Sequence, residues 1–157
     1  MTPTLHERSD ACIRNHVIAA MAAAVIPVPV ADMGAITMVE LDMLRALTAI
    51  FGRKWSDNLG KQAVGLAGAA VGGHLVWSGL ASGLKFLPGI GSAVGGALQM
   101  TVAGAVCFAL GKAYQKHLES GGETIDEDAF RDAVKANYKE GKRAAEAARK
   151  AEAEPAP

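Results

Sequence analysis

The sequence predicts an all-α fold of about five helices around a central, Gly/Ala-rich, apolar helical hairpin. Three observations lead there. Between Lys61 and Lys112 there is one charged residue, Lys85, which leaves two uncharged runs, Val64 to Leu84 and Phe86 to Gly111. As helices, both are long enough to cross a hydrocarbon layer of roughly 30 Å. Thirteen of the 18 glycines lie between Gly60 and Gly111, a density that lets helix backbones approach closely. The flanking segments carry apolar residues at helical spacing, bounded by capping and breaking residues.

At 157 residues the chain fits one helical domain, residues 1–152, with a disordered tail over 153–157. The first helix, 4–26, opens on the capping-box pair Thr4 and Glu7 and stops at Pro27 and Pro29. Asp32 is placed to cap the second, 33–51. There Ile36, Met43, Leu44, Leu47 and Phe51 share a face, Glu40, Asp42 and Arg45 fall partly elsewhere, and Gly52 ends the helix. These two form an amphipathic pair. A polar connection containing Trp55 follows.

The hairpin pairs helices 57–84 and 90–119, turning at Pro88 and Gly89. Gly68 and Gly72, Gly79 and Gly83, and Gly91 and Gly95 repeat the small-xxx-small spacing of close helix packing. Gly121 and Gly122 terminate the fourth helix. The last, 125–151, is charged and amphipathic, with Thr124 and Glu127 at capping-box spacing. Phe130, Val134, Tyr138 and Gly141 form its narrow stripe. Acids open it and Lys142, Arg143, Arg149 and Lys150 close it, which complements the helix dipole.

Formal net charge is zero, the pI is about 6.9 and aromatics are 5%, so neither a basic field nor a stacking surface points to nucleic acid. The N-terminus, with Glu7 and Asp10, is unlike a secretory signal. Cys12 and Cys107 read as reduced and buried, as in a cytosolic compartment. Cys12 and His16, four apart, have ligand spacing, but only His6 is near enough to join, so ordinary packing is expected and no metal. His74 reads as a structural histidine and Asp32 as a cap. No Ser/His/Asp or Cys/His arrangement has a supporting motif; the expectation is no enzyme, no catalytic residues and no cofactor.

Two readings compete for the hairpin. In one it is embedded in a membrane, whether spanning or only dipping. Arg53, Lys54, Lys61, Lys112 and Lys116 then flank the cytoplasmic side, and Trp55, Lys142, Arg143, Arg149 and Lys150 are the candidate lipid contacts. In the other it is the buried core of a soluble cytoplasmic adaptor, wrapped by the remaining helices. Mean hydropathy, +0.18, averages an apolar middle with a charged tail and does not separate them.

Residues 24–32 (Ala-Val-Ile-Pro-Val-Pro-Val-Ala-Asp), Phe51-Gly52, Leu87-Pro-Gly-Ile-Gly-Ser and Ala109-Leu-Gly-Lys-Ala-Tyr, in that order and spacing, resemble the family of domain of unknown function 697. The resemblance covers about Ala11 to Lys142. It implies a helical, mostly bacterial protein, in many members a membrane protein; together with the basic flanks the expectation is the bacterial inner membrane with both termini cytoplasmic. Its partners would be membrane lipid, further copies of itself, or a separate GTPase, since several members sit beside or fused to one. Gly104 to Gly111-Lys112 has the wrong spacing for a phosphate-binding loop, and Ala113 follows where Ser or Thr is needed. The resemblance supplies no catalytic residues. The expected function is a membrane-associated, non-enzymatic helical protein that oligomerises or docks a partner at the cytoplasmic membrane face.

Overall fold

The first turn of α1 (Leu5–Ala23) is closed by Thr4, whose hydroxyl accepts from the Glu7 N–H at 3.2 Å while the Glu7 carboxylate accepts from the Thr4 N–H at 2.6 Å. That reciprocal box satisfies two backbone donors that the helix start leaves without partners. The computed structural model describes residues 3–25, 31–77 and 91–153, with the side chains of 31–33, 73–77 and 91–95 outside that description. Pro27, Pro29, Gly79, Gly83, Lys85, Pro88 and Gly89 lie outside the described residues, as does the hairpin turn.

The other helices are α2 (Ala31–Ile50), α3 (Asp57–Trp77), α4 (Gly91–Ser120) and α5 (Glu127–Ala153). There is no strand among the described residues, and the fold is all-α. α2 is described from Ala31 onward, and the side chain of Asp32, the expected cap, lies outside the described residues. α2 ends as its sequence suggests. Gly52 is left-handed at φ 66°, its N–H reaches Ala49 O at 3.0 Å, and the Arg53 N–H reaches Thr48 O at 2.9 Å. Glycine adopts this backbone without a Cβ penalty, and the two bonds return orphan carbonyls to use. Gly121, at φ 75°, ends α4 in the same hand.

The start of α5 corrects the sequence reading. Asp126, not Thr124, caps it: the Asp126 carboxylate accepts from the Ala129 N–H at 3.0 Å. A carboxylate two residues closer to the helix takes the cap, and its charge also faces the positive end of the dipole.

α4 is the axis of the bundle and touches each of the other four helices. The apolar helices α3 and α4 do meet, but the most extensive helix contact is between α4 and α5. The core joins Ile13, Val17 and Met21 of α1 to Met43, Leu44 and Leu47 of α2. Cys107, Leu110 and Tyr114 of α4 and Val134 of α5 complete it, all at most 3% exposed. Each large side chain so buried contributes about 1.5–3 kcal/mol against exposure. One polar link crosses this core. Thr48 Oγ1 donates to Leu44 O at 2.7 Å, so the Tyr114 hydroxyl, 3.1 Å away, donates to Thr48.

Glycine brings the helices together at positions the spacing motif does not mark. A Cβ on Gly141 of α5 would lie 2.6 Å from Ala105 O of α4. One on Gly104 would meet Met21 and Ala145 at 2.8 and 2.9 Å, and one on Gly111 would meet Ile13 at 2.9 Å. By contrast, a Cβ on Gly65, Gly68 or Gly72 meets nothing within 4 Å. Among the described residues, the close approaches between helices around α4 are made by Gly104, Gly111 and Gly141.

Candidate functional site

The feature with the clearest physical consequence is a gradient along α4. From Thr101 to Leu118 nearly every residue is buried or half-buried by α1, α2, α3 and α5, whereas Gly96, Ala97, Leu98 and Met100 are only half-covered and Gln99 is exposed. Among the described residues, Gly96–Ser120 is a helix long and apolar enough to cross a membrane, and 56% of its most apolar 18-residue stretch is buried within the bundle. Along α4 the base of the hairpin is therefore core, as the adaptor reading requires, while the described residues Gly96–Met100 are under-covered. α3 carries the same contrast. Ala63, Leu66, Ala67, Ala70 and Val71 face the core, while Gly65, Gly68 and Ala69 are exposed on the outer side.

α5 lies antiparallel to α4. Phe130 and Ala133 line a cleft with Ala113 and His117, Gly141 sits on Ala105, and Ala145 sits on Gly104. One further helical turn brings Arg149 level with the under-covered end of α4. Lys142, Arg143 and Lys150 are exposed there; Arg149 is half-buried, and its Nε is buried with no hydrogen-bond partner among the described residues.

Trp55 is at the other end. Its indole N–H donates to Asp57 Oδ1 at 2.7 Å, its ring fills the space beside Gly60, and the Arg45 guanidinium lies 5.2 Å from the ring centroid. Donation by that indole, and then by Arg45 at 3.1 Å, holds the Asp57 carboxyl below its usual range. The five expected lipid-contact residues thus do not form one surface. The four basic ones flank the distal end and Trp55 is packed against the base. Of the basic flank, Lys112 is paired with Asp10 at 2.7 Å, and Arg53 donates to Leu118 O and Gly121 O, closing the end of α4.

Cys12 and His16 pack as neighbours on α1 and do not gather a metal set. His16 Nδ1 lies 2.8 Å from Cys12 O and Nε2 lies 3.2 Å from Asp42 Oδ2, so the imidazole bridges α1 to α2 with both nitrogens facing acceptors. His6 points instead to Gln115 and Glu119. No group of three or more potential ligands is placed to hold a metal among the described residues. Burial, and then the Asp42 charge, push the Cys12 thiol up, the reverse of an activated nucleophile. The side chains of His74 and Asp32 are outside the described residues.

Glu40 is the residue that the sequence reading misplaced. It is 5% exposed, on the core face of α2, with no hydrogen-bond or ion-pair partner among the described residues. Burial pushes its carboxyl up to about 7. The signal was in the spacing. Glu40 is four residues after Ile36 and four before Leu44, hence on the apolar stripe itself. At the base, Lys116, His117, Ser120, Thr124 and Asp126 rim an open cleft of about 240 Å³ above Ala113 and Phe130.

Comparison with known proteins places the chain. Residues 2–143 match the family described as Domain of unknown function (DUF697). Magnetosome membrane protein 22 of Magnetospirillum gryphiswaldense is 36% identical over 129 residues, 82% of this chain. The chain spans 65% of the length of that relative. No solved structure matches it. Because the family match runs from the first capping box of α1 into the second half of α5, the chain belongs to the DUF697 family.

Proposed function

We propose that this is a membrane-associated, non-enzymatic helical protein that enters lipid through the distal end of its apolar hairpin. The observation that carries the reading is the gradient along α4: enclosed from Thr101 to Leu118, under-covered from Gly96 to Met100, and preceded by a sequence whose one charge is Lys85. Water is a poor solvent for the apolar part of such a surface, and a bilayer can take it up with Gln99 as its one polar side chain among Gly96–Met100. In this state the hairpin dips rather than spans, because α5 with its charges lies along α4 at least as far as Gly104, where Ala145 is seated. Arg149 and Lys150 then sit at headgroup depth, where basic side chains gain from anionic lipid. The relative described as a magnetosome membrane protein supports the same direction.

The base, carrying Arg53, Lys54, Lys61 and Lys116, would face the cytoplasm at a bacterial inner membrane, with both termini on that side. The open Gly65, Gly68 and Gly72 face suits a second copy of the chain in the membrane, where small residues are the usual contact. Docking of a separate GTPase rests on family analogy alone. The second reading, a soluble adaptor, draws on the enclosed half of α4. Flotation with phosphatidylethanolamine–phosphatidylglycerol vesicles decides between them. The membrane reading expects the protein in the floating fraction through a high-salt wash, and an adaptor stays at the bottom of the gradient.

A further inference from the structure

α4 contains a stretch able to cross a membrane, and α5 occupies the flank that such a crossing would hand to lipid. We propose that α5 is a releasable cover: docked, it holds Thr101–Gly111 in the bundle and limits the hairpin to a dip; displaced, it lets that uncharged segment insert. This rests on the membrane association proposed above and assigns its regulation.

Three features of the contact support it. The first is incompatibility. The outer face of α5 carries Lys139, Glu140, Lys142, Arg143 and Glu146, exposed or nearly so, and charges of both signs are excluded from the hydrocarbon. An inserted α4 and a docked α5 cannot occupy one place. The second is that the seat is narrow. It depends on Gly141 lying against the Ala105 backbone and on Ala145 filling the notch at Gly104 beside Met21, so a single Cβ in the wrong place unseats it. The third is that the contact carries a built-in defect. Arg149 buries its Nε without a partner among the described residues, a desolvation that docking incurs and undocking relieves. α5 can leave as a helix, since it is internally supported by Arg131–Glu127, Arg131–Asp128 and Lys135–Asp132 pairs and by the Asp126 cap.

Cys107 reports insertion of α4. It is fully buried with its Sγ 3.7 Å from Met43 Sδ of α2, so release of α5 alone leaves it covered and it becomes reachable only when α4 leaves the bundle for lipid. In a Cys12→Ser background, the full chain is bound to phosphatidylethanolamine–phosphatidylglycerol vesicles and treated with a membrane-partitioning maleimide. Gly141→Ala strengthens α5 as a helix, since Ala is the better helix former, while blocking its seat on Ala105. Arg149→Met removes the unpartnered donor and seats α5 more firmly. The expected result is labelling roughly tenfold faster for Gly141→Ala, the change that an overpacked contact produces in an open population, and slower than the parent for Arg149→Met. Carbonate-resistant protein should rise and fall in the same order. If Gly141→Ala does not fold, retarded labelling of Arg149→Met still supports the cover and unchanged labelling overturns it. If all three proteins float with vesicles and label alike, the cover is wrong and the membrane reading stands; if none floats, both fall.

Discussion

Glu40 offers the sharpest test of the packing. Its carboxyl, in the core face of α2, titrates near 7 in the folded protein against 4.5 for the unperturbed group. The folded state therefore holds a proton that the unfolded chain releases between those values. Stability is fully present below about 4.5 and is lost as pH rises through about 7. A shift of roughly two and a half units corresponds to about 3 kcal/mol, a large share of the 5–15 kcal/mol of a typical domain. Glu40→Gln keeps the shape and removes the ionisation. Urea unfolding followed by helical circular dichroism, at matched acid and alkaline pH, should give equal stabilities for the two proteins near pH 4. Near pH 8 the variant should be more stable by about 3 kcal/mol. Groups common to both proteins cancel in the difference. Parallel pH profiles would refute the reasoning, because they would show Glu40 solvated or paired in solution.

Other outcomes follow from named contacts. Asp126→Ala should cost about 1 kcal/mol of stability and Thr124→Ala almost nothing, because Asp126 holds the cap of α5; thermal melts of the two variants compare them. Tyr114→Phe should cost about 1 kcal/mol in the same assay, since it removes the donor to Thr48 inside the core while Thr48 keeps its bond to Leu44 O. Gly68→Leu with Gly72→Leu should leave unfolding of the isolated chain unchanged or improved, because neither Cβ meets a neighbour and Leu is the better helix former. If those glycines serve assembly in lipid, cross-linking of vesicle-bound protein should drop in that double variant, and an undiminished yield would remove the glycine face from the account.

Much of the fold was readable from local chemistry. The Thr4–Glu7 box, the Gly52 and Gly121 stops and the start of α3 at Asp57 are decided within a few residues. What escaped depends on partners distant in sequence. Small-xxx-small spacing marks Gly68 and Gly72, but which glycine a neighbouring helix crowds depends on helix register, and among the described residues that register selected Gly104 and Gly111 against side chains and Gly141 against the Ala105 backbone. Trp55 and Lys150 looked like one lipid-facing set until the antiparallel course of α5 placed them at opposite ends. Thr124 lost its cap because Asp126 competes from a better position. Glu40 was set partly off the apolar face, although its spacing put it on the stripe. The sequence likewise treated the hairpin as one unit, all lipid or all core, whereas packing divides it along its length.

That division is the central claim, and hydrogen–deuterium exchange by peptide, with and without phosphatidylethanolamine–phosphatidylglycerol vesicles, tests it most directly. The account predicts that vesicles slow exchange over residues 72–100 and leave the loops at 51–57 and 120–127 as they are in solution. Exchange slowed only in those base loops, or unaltered along the whole chain, would contradict it.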